Sequence, residues 1–365
     1  MAIRLARSLL PFVLLIGALP GSVAAQDEDL LELDRILSDA REARIQVRYQ
    51  GEQTVYAFLR DKTVVSRFQV RYAYPYFKRE SIGEKPERSF VLLDDGSYRW
   101  RYIPCRKIVL KESSRAGTDG FFPTDLPANT ALIRQNYNFT IRGPVPAESG
   151  DCHVIEFSPK WQDRPRREIW LQGKWKIPVR VYVAFPDGRT SYMSELRKLS
   201  WNPDLSPEIF QLRVPEDTRV YEIREEGNLS LEQARMLLGR SLSLPRLVPR
   251  GFSPFNILLR MEGGSRRIQI VYADGLASFS MFQEWADPGA ERSAQQDAVS
   301  RPGAASGTSA SGPEPEVEAR VRQYGLMNVL TLGLPGRRTV FVGDVLEEKL
   351  LEAAQSLARE PDPGR

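Results

Sequence analysis

Leu30, Leu33, Leu37 and Ala40 fall on one stripe, and Asp27 and Asp29 precede them where the positive end of a helix dipole favours acidic side chains. An amphipathic helix is predicted there. From Ile45 the hydrophobic period drops to two: Val47, Tyr49 and Gly51 alternate with Arg48 and Gln50. The stretches 54–59, 64–72, 90–93, 97–103 and 108–112 repeat the pattern, with turn signals at Asp61-Lys62 and Asp94-Asp95-Gly96. Residues 113–136 break the rhythm with Gly117, Gly120, Pro123 and Pro127, ahead of a short helical segment at 130–135. Strand pattern resumes at 137–142, 152–158, 167–171, 178–184 and 190–200, turning at Gln172-Gly173 and Pro186-Asp187-Gly188. Short strands at this spacing predict a single large antiparallel sheet, and helices before and within it make the class α+β.

A second unit follows. Residues 223–228, IREEGN, are polar and predict a flexible linker after a first domain at 26–222. Ser230 and Gln233 have the spacing of a capping box, which starts a helix at 231–238 that Gly239 closes. Phe255, Ile257, Leu259 and Met261 then alternate, Gly263-Gly264 turn the chain, and Ile268, Ile270 and Tyr272 alternate again. Asp274-Gly275 turn it once more before Ala277, Phe279 and Met281, so a three-stranded meander is predicted. Residues 287–316 are Ala, Ser, Gly and Pro with almost no large apolar group; they cannot offset the entropy of ordering and predict a disordered insertion in a hairpin. Strands are expected at 321–332 and 338–342. Asp344 and Glu347 cap a last helix whose Leu346, Leu350, Ala353 and Leu357 face inward, completing a small α+β domain at 229–358 with a disordered tail at 359–365.

Composition narrows the function. Arg4 and Arg7, the apolar run Leu9–Leu19 and the small residues Val23-Ala24-Ala25 read as a secretory signal peptide over 1–25, so the mature chain would begin near Gln26. The apolar run is shorter than the ~20 residues that span a bilayer, and no later run is long enough, so a soluble protein exported to the periplasm is expected. The formal charge of +4 contains Arg4 and Arg7, leaving 49 basic against 47 acidic residues, which does not point to nucleic acid. The basic cluster Arg164-Pro165-Arg166-Arg167 reads as a solvated strand edge. Cys105 and Cys152 both fall in strand-like segments; an oxidising compartment would let them form a disulfide if those strands are neighbours, and otherwise they are buried thiols. His153 directly follows Cys152 and so points to the other face of its strand, where it cannot form a dyad with it. No nucleophile motif, phosphate loop or histidine metal cluster occurs, so no catalytic residue, metal or cofactor is expected, and the reading is a non-enzymatic protein.

Two stretches carry a resemblance. Leu247–Trp285, with Gly251-Phe252 at its entry, the word VYADGLASFS and Glu284 after it, resembles the small C-terminal domain of the RseB/MucB family, periplasmic regulators of an envelope-stress anti-sigma factor. In the first domain NYNFTIRG, CHVIEF, REIWLQGKWKIPVRVYVAFPDGR and NPDLSPEIFQLRVPEDTRV follow one another over 136–220 in the order of the lipid-binding half-barrel that the family shares with LolA and LolB. Glu148-Ser149-Gly150-Asp151 and Arg166-Arg167-Glu168 depart from the family's Ala-Gly-Arg turn and Arg-Tyr-x-Tyr strand start.

The resemblance implies a curved sheet covered by helices, whose open face binds a lipid, lipopolysaccharide or lipoprotein acyl chain. Aromatic strand residues suit such a lining: Phe58, Phe68, Tyr72, Trp100, Tyr102, Phe139, Phe157, Trp170, Tyr182 and Tyr192, with Phe121-Phe122 as a lid. It also implies that the small domain, with candidate contacts Asp274, Phe279 and Glu284, and the cleft between domains hold the periplasmic segment of a transmembrane anti-sigma factor and shield it from proteolysis. The alternative is a LolA-like carrier of lipoproteins or lipids, which would not need residues 229–358.

Overall fold

The computed structural model describes residues 21–59, 61–114, 126, 130–238, 242–262, 265–285, 319–324, 327–334 and 337–358. Residues 1–20 of the expected leader, Phe121-Phe122, the insertion at 287–316 and the tail at 359–365 lie outside the described residues. The class is α+β, as predicted: among the described residues, four helices accompany eighteen strands in one connected sheet.

The first helix, α1 (Gly21–Gln46), starts ahead of Gln26 and buries Leu33, Leu37 and Ala40 of the predicted stripe together with Ile36, while Leu30 is only half-buried. Then come β1 (Tyr49–Phe58), β2 (Thr63–Ala73), β3 (Tyr76–Ser81), β4 (Val91–Asp94), β5 (Tyr98–Ile103), β6 (Ile108–Ser113), α2 (Thr130–Asn136), β7 (Tyr137–Val145), β8 (Cys152–Pro159), β9 (Arg166–Gln172), β10 (Pro178–Ala184) and β11 (Thr190–Trp201). Pairing runs β7–β8–β9–β10–β11–β1–β2–β3–β4–β5–β6, antiparallel throughout. The period-two pattern does not show β3, because Phe77 is the one large apolar side chain on its covered face. Its neighbour on that face, Arg79, lays its guanidinium over the Phe68 ring at 3.6 Å.

The predicted linker is also a strand. In β12 (Arg219–Glu226), Arg219–Ile223 pair parallel with Ile108–Glu112 of β6, and Arg224–Glu226 pair antiparallel with Met261–Leu259 of β13 (Ser253–Glu262). Its polar composition misleads because its acids face cations, Glu222 near Lys111 at 3.9 Å and Glu225 against Arg260 at 3.0 Å, while the backbone supplies the ladder. The sheet is therefore not wholly antiparallel, and it runs without a break from one half of the chain into the other.

The second half contains α3 (Leu231–Leu238), the meander β13, β14 (Ser265–Ala273) and β15 (Ser278–Trp285), then β16 (Ala319–Tyr324), β17 (Met327–Leu334), β18 (Arg337–Gly343) and α4 (Glu347–Ala358). The stretch predicted as one strand, 321–332, is a hairpin of β16 and β17; β18 inserts between β17 and β15. The capping box is formed: Gln233 N–H donates to Ser230 Oγ at 3.0 Å and Ser230 N–H to Gln233 Oε1 at 2.8 Å. Ala234 and Leu238 of α3, and Leu350, Ala353, Ala354 and Leu357 of α4, close a core with Ile268, Ile270, Tyr272, Phe279, Met281 and Phe341.

The expected disulfide is not made. Cys105 sits exposed in the 3-10 turn Pro104–Arg106 between β5 and β6, not in a strand, and Cys152 is buried at the start of β8; both are free thiols. The strands flanking them are not neighbours, since β8 pairs with β7 and β9.

Candidate functional site

The word VYADGLASFS ends β14, turns at Asp274-Gly275 and opens β15, and that turn is driven into the first half of the molecule. Asp274 is fully buried. Its Oδ1 accepts the N–H groups of Leu276 at 3.0 Å and Ala277 at 2.7 Å, which shapes the turn. Its Oδ2 accepts from Tyr137 Oη at 2.8 Å and from Arg164 Nη1 at 2.5 Å, both in the first half of the chain. Asn136 Nδ2 donates to the Asp274 carbonyl at 2.9 Å and the Gly251 carbonyl at 3.2 Å. Gly275 has φ +109°, and a Cβ there would lie 2.9 Å from the Ile133 nitrogen of α2, so this close approach needs glycine. Leu276 packs against the hydrophobic cluster that contains Ile133, Tyr137 and Leu33, Leu37 and Ala40 of α1.

A second ion pair lies alongside. Arg167 Nη2 donates to Asp344 Oδ2 at 3.0 Å, while Asp344 Oδ1 accepts the Ser278 N–H at 2.7 Å. Arg164 also donates to both oxygens of Asp163 and to the Arg250 carbonyl, and it stands over the Phe252 ring at 4.8 Å. Arg164 is 0 % exposed, so the basic cluster is not a solvated edge; only Arg166 remains open to water. Burial opposes the Arg164 charge, but hydrogen bonds to Asp163 and the Asp274 carboxylate hold its pKa above the usual value. Burial lifts the Asp344 carboxyl above the ordinary carboxylate range, against the pull of Arg167 and the Ser278 N–H. Tyr137 is raised well above its ordinary value, by burial first and then by the charge and hydrogen bond of Asp274.

Two of the three expected partner contacts are therefore internal. Asp274 is bonded to Tyr137 and Arg164 of the first half, and Phe279 is 1 % exposed, stacked on Tyr272 at 4.7 Å and close to Phe252 and Phe341. Position 279 lies on the covered side of β15, where period two alternates core with solvent. Glu284 alone keeps exposure, beside Arg267 at 3.3 Å.

The aromatic candidates separate as well. Side chains alternate between faces, so register carries a face from strand to strand. Phe68 lies opposite Gln53, Tyr72 opposite Tyr49, and Tyr192 opposite Ala57. Through Val183, Ile169 and Ile155 the same face reaches Phe157 and Phe139. This is the face on which α1 packs, with Phe157, Tyr192 and Phe139 in its core. Phe58, Trp100, Tyr102, Trp170 and Tyr182 fall on the opposite face. There Trp170 stacks under Arg180 at 4.6 Å, and Trp100 Nε1 donates to Asp95 at 2.7 Å. The ten residues cannot line one cleft, because aromatic strand propensity does not distinguish the two sides of a sheet.

Sequence reasoning missed Asn136, Arg164, Arg167 and Asp344 as interface residues. Asn136 and Tyr137 begin the NYNFTIRG stretch, the one signal in the first half of the chain; Arg164 and Arg167 carry none, since buried arginine is rare unless paired and the pairs are distant in sequence. Among the described residues, no group of acidic, His or Cys side chains could hold a metal ion.

No family model matches the chain, and no curated protein matches it. Solved structures do. MucB in complex with MucA(peri) is 15 % identical at a TM-score of 0.51, over 89 % of this chain and 97 % of that one. The MucA/MucB complex of Pseudomonas aeruginosa is 14 % identical at a TM-score of 0.50, over 90 % of this chain and 97 % of that one. The chain thus has the fold of MucB over both of its halves. A LolA superfamily protein from Nitrosomonas europaea overlaps 49 % of the chain, at a TM-score of 0.27 that adds nothing to the assignment.

Proposed function

We propose that the protein is a non-enzymatic periplasmic regulator that binds the periplasmic segment of a transmembrane anti-sigma factor, shields it from proteolysis and releases it when a lipid or lipoprotein signal binds. The observation that supports this reading is the extent of the likeness. Both halves, including residues beyond Leu229 that a lipid carrier would not need, follow the fold of a protein solved with MucA(peri) bound. The acyl chain would enter beneath α1, among Phe68, Tyr72, Phe139, Phe157 and Tyr192, and the anti-sigma segment would contact the exposed surface of the small domain around Glu284. No described helix is long and apolar enough to cross a membrane.

Titration of the full chain with the periplasmic part of a single-span anti-sigma factor, with and without lipid, tests the reading. Lipid should weaken peptide binding, and by linkage the peptide must weaken lipid binding by the same factor. Removing Leu229–Arg365 should abolish peptide binding and leave lipid binding in place. If the full chain binds no such peptide while the first half alone delivers lipoproteins, the protein is a carrier instead.

A further inference from the structure

We infer that the Asp274-Gly275-Leu276 turn is a reversible latch, and that the small domain can undock from the first domain by pivoting within β12, between Ile223 and Arg224. Three observations carry this. The charges are sorted by domain: Arg164 and Arg167 belong to the first, Asp274 and Asp344 to the second, and each buried pair crosses between them. Groups of this kind are costly in a permanent core but well solvated once the surfaces part, so the interface specifies one docked arrangement without forbidding an open one. The hydrophobic cores are separate: α3, α4 and the second half's strands enclose one, α1 and β7–β11 frame another, and Leu276 is the small-domain residue packed against the latter. Each half keeps its own core when Leu276 leaves.

The pivot is visible in the backbone. Arg219–Ile223 are hydrogen-bonded to β6 and Arg224–Glu226 to β13, so the ladder changes partner between two consecutive residues. A strand whose two ends are bonded to different neighbours concentrates any relative rotation at the peptide where the neighbour changes. The latch is seated on α2, since the Gly275 backbone approaches Ile133 and Leu132. A displacement of α2 would therefore loosen it.

The test uses the full chain with two spin labels: one on Cys105, exposed in the first domain, and one on Met236→Cys, which is 73 % exposed on α3, with Cys152→Ser removing the second thiol. Pulsed dipolar spectroscopy should give a narrow principal distance. Asp274→Asn and, as the milder change, Leu276→Ala should each shift most of that amplitude into a broad distribution, while amide exchange at Ile268 and Ile270 keeps its protection. A single unchanged distance in both variants would overturn the latch. Loss of Ile268 and Ile270 protection in step with the distance change, in Leu276→Ala as well as Asp274→Asn, would also overturn it, by showing that the turn belongs to the small domain's own fold.

Discussion

Asn136 and Gly251 fit so closely that a Cβ at position 251 would lie 2.0 Å from Asn136 Oδ1. Asn136 cannot easily yield, because it is fully buried and its Nδ2 is committed to the Gly251 and Asp274 carbonyls. Gly251 also has φ +84°, which L side chains rarely adopt. Gly251→Ala should therefore destabilise the protein by about 1–3 kcal/mol, the usual cost of forcing a non-glycine residue into such a conformation. Urea unfolding of the variant beside the parent measures it, and an unchanged midpoint would mean that the loop relaxes away from Asn136.

Alkaline pH should destabilise the protein through two buried tyrosines. Tyr137 and Tyr272 both have pKa values raised above the ordinary tyrosine value, chiefly by burial. The folded protein holds these protons more tightly than the unfolded chain, so the stabilisation is fully present below about pH 10 and is lost as pH rises from there towards the folded-state values. The urea midpoint should fall above about pH 10, and Tyr137→Phe should flatten that fall while lowering the neutral-pH midpoint through the lost bond to Asp274. An equally steep fall in Tyr137→Phe would assign the effect to other groups.

Ser230→Ala removes the acceptor for the Gln233 N–H and leaves Gln233 to cap alone. A loss of about 1 kcal/mol is expected, the common worth of an N-cap. Circular dichroism during urea unfolding reads it; Gln233→Ala should cost less, since the Ser230 side chain still caps the helix.

The two thiols should differ in reactivity. A thiol reagent should modify Cys105 in the native protein and reach Cys152 only after unfolding, because Cys152 is buried and its pKa is raised by that burial. Intact mass should not change on reduction. A loss of two hydrogens reversed by reductant would contradict the free thiols.

Local signals were legible in the sequence where they act locally. The α1 stripe, the Ser230/Gln233 box and the meander across Ile257, Ile270 and Met281 each depend on residues a few positions apart, and each is found in the structure. β12 was not legible, because its charged side chains resemble a linker while its ladder lies in the backbone. The site was legible only as a word. ADGL marked an important turn, but its meaning lies in Tyr137 and Arg164, more than a hundred positions away, and no period in the sequence links them. Phe279 and the divided aromatic set show the same limit: composition identifies the residue types, and only register decides which way they face.

The partner exchange along β12 also bears on solubility. In the whole chain it covers two strand edges at once, that of β6 with its first five residues and that of β13 with its last three. Cutting the protein between its halves within β12 would uncover one or the other, and an open edge recruits strands from other molecules. A fragment of the first half should stay monomeric only if it keeps the chain through Ile223, and one of the second half only if it begins no later than Arg224. The same few residues that join the halves thus cover one strand edge in each of them.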